Sequence, residues 1–186
     1  MQARLAGLPP AELNERQAEV YRAITGGPRA TGQQAFALTD PDGRLLGPFN
    51  AMLLSPPVGL AVQALGAAVR YGSALGDRVR EMAILAVAAH WNSAFERDAH
   101  EAMGRAVGLT AEELAALRTG TAPELTDPVE LAALRATSAL LQRGGLNDEE
   151  YADAVSALDE RGLFELTTLV GYYSTLALQL RVFAGE

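Results

Sequence analysis

The sequence predicts an all-α protein, and three observations carry that prediction. N-cap residues stand three positions before a glutamate at several points. Glycines follow at distances that fit helix stops. Strand-and-hairpin signals are missing, since Asn-Gly and Asp-Gly turns between alternating apolar runs do not occur. Asp42-Gly43 is the one candidate turn, and its flanks make poor strands.

Leu13, Val20, Tyr21 and Ile24 recur at roughly helical spacing, which predicts a helix over 11–25 stopped by Gly26-Gly27-Pro28. Residues 28–56 hold Gly32, Pro41, Gly43, Gly47 and Pro48 and read as an ordered loop or extended arm. That arm is not a free linker, because Phe36, Leu38, Leu45, Leu46 and Phe49 need burial. A helix over 57–70 should end near Gly72, and the next should run from Asp77 to about 92. The second is apolar on nearly all sides and is expected to be central. After a break comes a helix through Glu96 and His100, stopped by Gly108. Thr110 with Glu113, Asp127 with Glu130, and Asn147 with Glu150 are capping-box pairs. Pro128 occupies a first helical position, where its missing N–H does no harm. Gly120, Gly144-Gly145 and Gly162 fit the stops, and a last helix is expected over 163–183. One domain over 1–186 is the expectation from length, with residues 1–56 as helix and arm and 57–186 as helical core.

Composition removes several function classes. The formal net charge of −8 and pI of about 4.8 repel phosphate backbones, so nucleic acid is not an expected partner. The longest apolar run, Met82 to Ala89, falls far short of the roughly 20 residues that span a bilayer. The N-terminus lacks a long apolar stretch of the signal-peptide kind, and a cytoplasmic location is the default expectation. There is no cysteine, which excludes disulfides, thiol nucleophiles and thiolate metal sites. Two histidines make a His-rich metal site improbable, so no metal is expected.

Both histidines fall in one stretch, 81–100, which is therefore the expected site. Ser93, Glu96 and His100 stand at i, i+3 and i+7 and would share one helix face. Glu96 and His100 are also i, i+4 neighbours, close enough to hydrogen-bond. A carboxylate beside an imidazole suits general acid–base work. Glu81, on the preceding helix, could orient the imidazole or act as a second acid. Each residue also has a plainer reading. Glu81 is a first-turn glutamate that suits the helix dipole. Glu96 could be a surface partner of nearby arginines, and Arg97 with Glu101 a solvated pair. His100 could be a satisfied core histidine. For His90, beside Trp91, a hydrogen-bonded core role is the stronger reading, and for Ser93 a helix cap. Tyr172 and Tyr173 read as packing, with one hydroxyl able to reach a pocket.

Taken together, Arg80 to Leu85, His90 to Glu96, Ala99-His100 and Gly108-Leu109-Thr110 resemble the carboxymuconolactone decarboxylase family. Its superfamily includes the alkyl-hydroperoxidase D-like proteins. Gly47 to Ala51 and Leu169 to Tyr173 agree, so the resemblance covers about 25–183. It implies a compact helical bundle of about 7–8 helices with an irregular N-terminal arm, assembled as a homotrimer or hexamer. The peroxidase branch has a Glu, two Cys and a His at the spacing of Glu81, Ser93, Glu96 and His100. Serine and glutamate at the cysteine positions exclude dithiol peroxidase chemistry. The cysteine-free branch implies an acidic residue at 94 and an aromatic at 97, where this chain has Ala94 and Arg97.

The resemblance therefore implies a cofactor-independent decarboxylase or related lyase on a small carboxylated lactone or keto acid. His100 would be proton donor, with Glu96 and Glu81 as its partners. Ser93, His90, Phe49, Asn50 and Tyr172 are candidate substrate contacts. Arg29, Arg70 and Arg97 are candidate cations for an acidic substrate. A hydrolase or isomerase on the same scaffold, and a catalytically silent ligand-binding oligomer, remain open beside it.

Overall fold

The computed structural model describes residues 4–31 and 36–184, with the Thr31 side chain undescribed. Among them are nine α-helices and a single isolated β-bridge. The chain divides into two compact units. One runs to Gly72 and takes in the residues from Thr175 onward; the other spans Ser73–Ser174.

In the first unit a 3₁₀ turn, Pro10–Glu12, precedes α1 (Glu15–Thr25). The helical spacing over 11–25 predicts one helix across both. They are separate because Asn14 caps α1: its side chain accepts from the Gln17 N–H, and the Gln17 side chain accepts from the Asn14 N–H. Val20 and Ile24, four apart, are fully buried. The arm holds two four-residue helices, α2 (Pro28–Thr31) and α3 (Phe49–Met52). Between them Thr39 bridges Leu45 across a turn in which Asp40 Oδ1 accepts the N–H groups of Asp42 and Arg44. Asp42-Gly43 is thus a real turn that nucleates one bridge and no strand. Leu45 and Phe49 are buried, whereas Leu46 is exposed, against expectation. The bridge residues alternate, so burying Leu45 turns Leu46 outward. Phe49 stacks on Phe36 with ring centroids 6.1 Å apart and carries the Arg29 guanidinium 5.4 Å from its centroid. Asn50 Nδ2 donates to the Leu5 carbonyl at 3.4 Å.

Helix α4 (Pro56–Tyr71) packs on α1 and α3. Its approach to α3 depends on Gly59, where any Cβ would collide with the Met52 carbonyl oxygen.

In the second unit α5 (Asp77–Trp91) is the axis, packed by α6 (Ala94–Ala106), α7 (Ala111–Arg118) and α8 (Pro128–Arg143). The all-round apolarity of α5 has the predicted result: Val79, Met82, Ile84, Leu85 and Val87 are all buried. Met82 and Leu85 form a cluster with Leu109, Leu114, Leu117 and Leu134. Arg78 ties this assembly together. Its guanidinium donates to Glu113 (2.8 Å), Glu130 (2.6 Å) and the Gly108 carbonyl (2.5 Å). These two carboxylates raise the Arg78 pKa.

The helix starts follow the caps. Thr110–Glu113 and Asn147–Glu150 form reciprocal boxes. Asp127 caps α8 through Val129 and Glu130, but the Glu130 carboxylate serves Arg78 instead of closing a box. Gly144 stops α8 in the left-handed region (φ 72°), as expected of a glycine there.

The expected stop at Gly162 does not occur. Helix α9 (Asp148–Gln179) is interrupted three residues earlier, at Asp159 (φ 58°, ψ 176°). Asp159 Oδ1 accepts from the Gly162 N–H at 2.8 Å, so Asp159 acts as an internal N-cap and Gly162 lies inside the new turn. The chain then continues into a π-helical turn, Leu180–Ala184.

Candidate functional site

Helices α5 and α6 are joined by two residues. Asn92 adopts the left-handed conformation (φ 51°, ψ 43°), which asparagine tolerates better than most residues, and it ends α5. Ser93 follows as the N-cap of α6, its side chain accepting the Glu96 N–H. Ser93 is fully buried. The tight reversal lays α6 back along α5.

Three ionisable side chains meet between them. His100 Nδ1 lies 2.6 Å from Glu81 Oε2, and His100 Nε2 lies 3.5 Å from Glu96 Oε2. Their exposures are 1% for Glu81, 1% for His100 and 4% for Glu96. The plain readings of Glu81 as an end-of-helix charge and Glu96 as a surface partner therefore give way. Asp77 is the first-turn acid of α5.

The two contacts differ in kind. At 2.6 Å the Glu81 contact is a short, charge-assisted hydrogen bond. At 3.5 Å the Glu96 contact is too long for a strong one. With its proton on Nδ1 the imidazole donates to Glu81, which sets its orientation and presents Nε2 to Glu96. A buried carboxylate–imidazole–carboxylate set can thus hold one proton firmly and exchange another at Nε2. Tyr173, from α9, meets the His100 ring at right angles with centroids 5.1 Å apart, and Tyr172 meets Tyr173 in the same way at 5.2 Å. Both tyrosines are buried. The sequence alone suggests packing for Tyr173, and its place against the imidazole is a tertiary fact.

Other residues are placed differently from expectation. His90 is exposed, not a core histidine; it stands at the end of α5 with its ring edge-on to Trp91, at 5.2 Å. It lines a separate cleft with Ala86, Leu117, Leu134, Ser138 and Gln142. Glu101 is buried and bound to Arg118 (2.5 Å) and Arg105 (3.2 Å), so the expected solvated pair with Arg97 does not form. The Arg118 hydrogen bond leads the causes that hold the Glu101 carboxyl below its ordinary range. Arg97 lies 3.4 Å from Asp98. Phe49, Asn50, Arg29 and Arg70 belong to the first unit, whereas Glu81, His90, Ser93, Glu96, Arg97, His100 and Tyr172 belong to the second. Among the described residues no group of three or more His, Asp or Glu side chains is arranged to hold a metal ion. No described helix is long and apolar enough to cross a membrane.

A thiol-free all-α protein with a Glu–His–Glu set between two antiparallel helices is the class this geometry defines. Residues 56–139 match the model of the carboxymuconolactone decarboxylase family, a segment that contains all three of these residues. Two solved structures share the fold. One is a protein of unknown function from Agrobacterium tumefaciens, described as a candidate antioxidant defence protein AhpD. It has a TM-score of 0.64 and 20% identity, over 74% of this chain and 94% of that one. The other is the debrominase Bmp8, a cysteine-to-alanine variant in complex with 2,3,4-tribromopyrrole. It has a TM-score of 0.67 and 11% identity, over 98% of this chain and 90% of that one. No curated protein matches the chain. The chain is thus similar to the carboxymuconolactone decarboxylase family over residues 56–139, and it shares its fold with these two structures.

Proposed function

We propose that the protein is a cofactor-independent lyase that decarboxylates a small carboxylated lactone or keto acid by proton transfer at His100. The observation that carries this reading is the buried Glu81–His100–Glu96 set. The family match supports it. A chain without cysteine has no thiol to run a peroxidase cycle.

In the step itself, the bond between the substrate carbon and its carboxylate breaks and carbon dioxide leaves. The electron pair stays on carbon, delocalised into the adjacent carbonyl of the substrate. His100 Nε2 delivers the proton that completes the product, and Glu96 stands near enough to return one to Nε2. Glu81 keeps the Nδ1 proton and stabilises the imidazolium before transfer, as a carboxylate behind a catalytic histidine does. Assembly as a homotrimer or hexamer belongs to the same proposal.

The near-complete burial of all three groups favours a second reading, in which the set is structural and the protein is a catalytically silent binder. One experiment separates them. Small carboxylated lactones and keto acids are screened for carbon dioxide release and mass change with wild type, His100→Ala and Glu96→Gln, with oligomer size checked by light scattering. Carbon dioxide release that disappears in His100→Ala at unchanged oligomer size supports the lyase. A mass change without carbon dioxide moves the assignment to a hydrolase or isomerase. Turnover equal in wild type and His100→Ala rejects His100 as proton donor.

A further inference from the structure

We propose that the cleft between α5 and α8 is a binding site for a single-ring aromatic acid, separate from the Glu81–His100–Glu96 set. The cleft has a volume of about 190 Å³. A dry cavity of about 150 Å³ holds one benzene ring, so this space suits one ring with one small substituent and no more.

The lining divides into two chemistries. Ala86, Ala89, Leu117, Leu134 and Leu141 give apolar surface for a ring. His90, Ser138, Gln142 and Thr121 give polar side chains, the Thr121 hydroxyl being bonded to the Ala116 carbonyl, and no carboxylate lines the cleft. That exclusion is informative in a chain of net charge −8. Among the described residues the side chains of His90, Ser138 and Gln142 make no hydrogen bond or ion pair; His90 has only its ring contact with Trp91. Three hydrogen-bonding groups without a protein partner, His90 and Gln142 at exposed positions and Ser138 half-buried, thus border a pocket with an apolar floor, the pattern of a site that orients a ligand by a few polar contacts. Each of the three can donate. A ligand group that only accepts, such as a carboxylate, satisfies all of them.

The periodicity that builds the cleft is regular. Ala86, Ala89 and His90 stand at i, i+3 and i+4 of α5, and Leu134, Ser138, Leu141 and Gln142 at i, i+4, i+7 and i+8 of α8. On α5, Glu81 precedes His90 by nine residues, which is about half a turn from in-phase and about 13 Å along the axis. None of Glu81, Glu96 and His100 lines the cleft. The site therefore stands whether or not the lyase reading holds.

The test is isothermal titration of the full-length protein with sodium benzoate, benzamide and cyclohexanecarboxylate, at fixed pH. Trp91, the single tryptophan, gives a second signal in wild type through its fluorescence. Saturable benzoate binding is expected, weakened about tenfold or more in His90→Ala and in the cleft-filling variants Ser138→Leu and Ala89→Leu. It is expected to be unchanged in His100→Ala. Benzamide and cyclohexanecarboxylate should each bind more weakly than benzoate. Far-UV circular dichroism confirms that each variant is folded, and His90→Ala, at an exposed position, keeps the test independent of the two filling variants. Three results overturn the proposal: no saturable binding, binding lost in His100→Ala but kept in the cleft variants, or benzamide or cyclohexanecarboxylate binding as tightly as benzoate.

Discussion

Removing the Glu81 carboxylate gives the sharpest check on the buried set. Glu81 and His100 are each 1% exposed and 2.6 Å apart, so neither has water to fall back on. In Glu81→Ala the imidazole loses its Nδ1 partner inside the protein and a cavity replaces the side chain. Breaking a buried pair from one side costs about 3–5 kcal/mol. For a chain of this size each kcal/mol moves the midpoint by about 2–4 °C, so Tm should fall by roughly 6–20 °C. Glu81→Gln keeps the volume and an accepting oxygen but loses the charge, and should cost about 1–2 kcal/mol. The double variant Glu81→Met/His100→Leu removes both polar groups. Well-packed apolar replacements of a buried pair are often near neutral, so it should be more stable than Glu81→Ala. The assay is urea and thermal unfolding followed by circular dichroism, with every variant at one fixed protein concentration. A Glu81→Ala variant within about 1 kcal/mol of wild type would refute the reasoning, because the pair would then not be a closely coupled buried contact.

Other outcomes follow from single contacts. Ser93→Ala removes the cap of α6 and should cost about 1 kcal/mol by chemical unfolding, whereas Ser93→Gly should cost only a few tenths. Gly59→Ala drives a methyl group into the Met52 carbonyl and should destabilise by about 3 kcal/mol, well beyond the gain in helix propensity. Glu101 is held below its ordinary value of 4.5 chiefly by Arg118, so its contribution is present above that pH and is lost as pH falls through the lowered folded-state value. In Arg118→Gln the acid-side loss of stability should therefore be shallower than in wild type when unfolding is measured from pH 6 to pH 3; parallel curves would reject the linkage.

Much of this molecule is legible along the chain because helix ends are local. Thr110, Asp127 and Asn147 satisfy N–H groups within three residues of themselves, and Gly144 takes a conformation set by its own backbone. The apolar run of α5 likewise declares burial without reference to any partner. The same locality misleads at Gly162, because an aspartate three residues earlier supplies a cap that outweighs a glycine's tendency to stop a helix. It misleads again for Leu46 and His90, whose apolar neighbourhoods in sequence do not face inward.

By itself the sequence determined the helical class, most helix starts, the absence of thiol chemistry and the i, i+4 relation of Glu96 to His100. Each of these rests on interactions within a few residues or on which atoms exist at all. Only the tertiary structure decided that Glu81 reaches Nδ1, that Tyr173 meets the imidazole, that Glu101 turns to Arg118 and that His90 opens onto a cleft with Ser138 and Gln142. Those pairings join different helices, and the rotation of one packed helix against another is fixed by the fit of side chains from both.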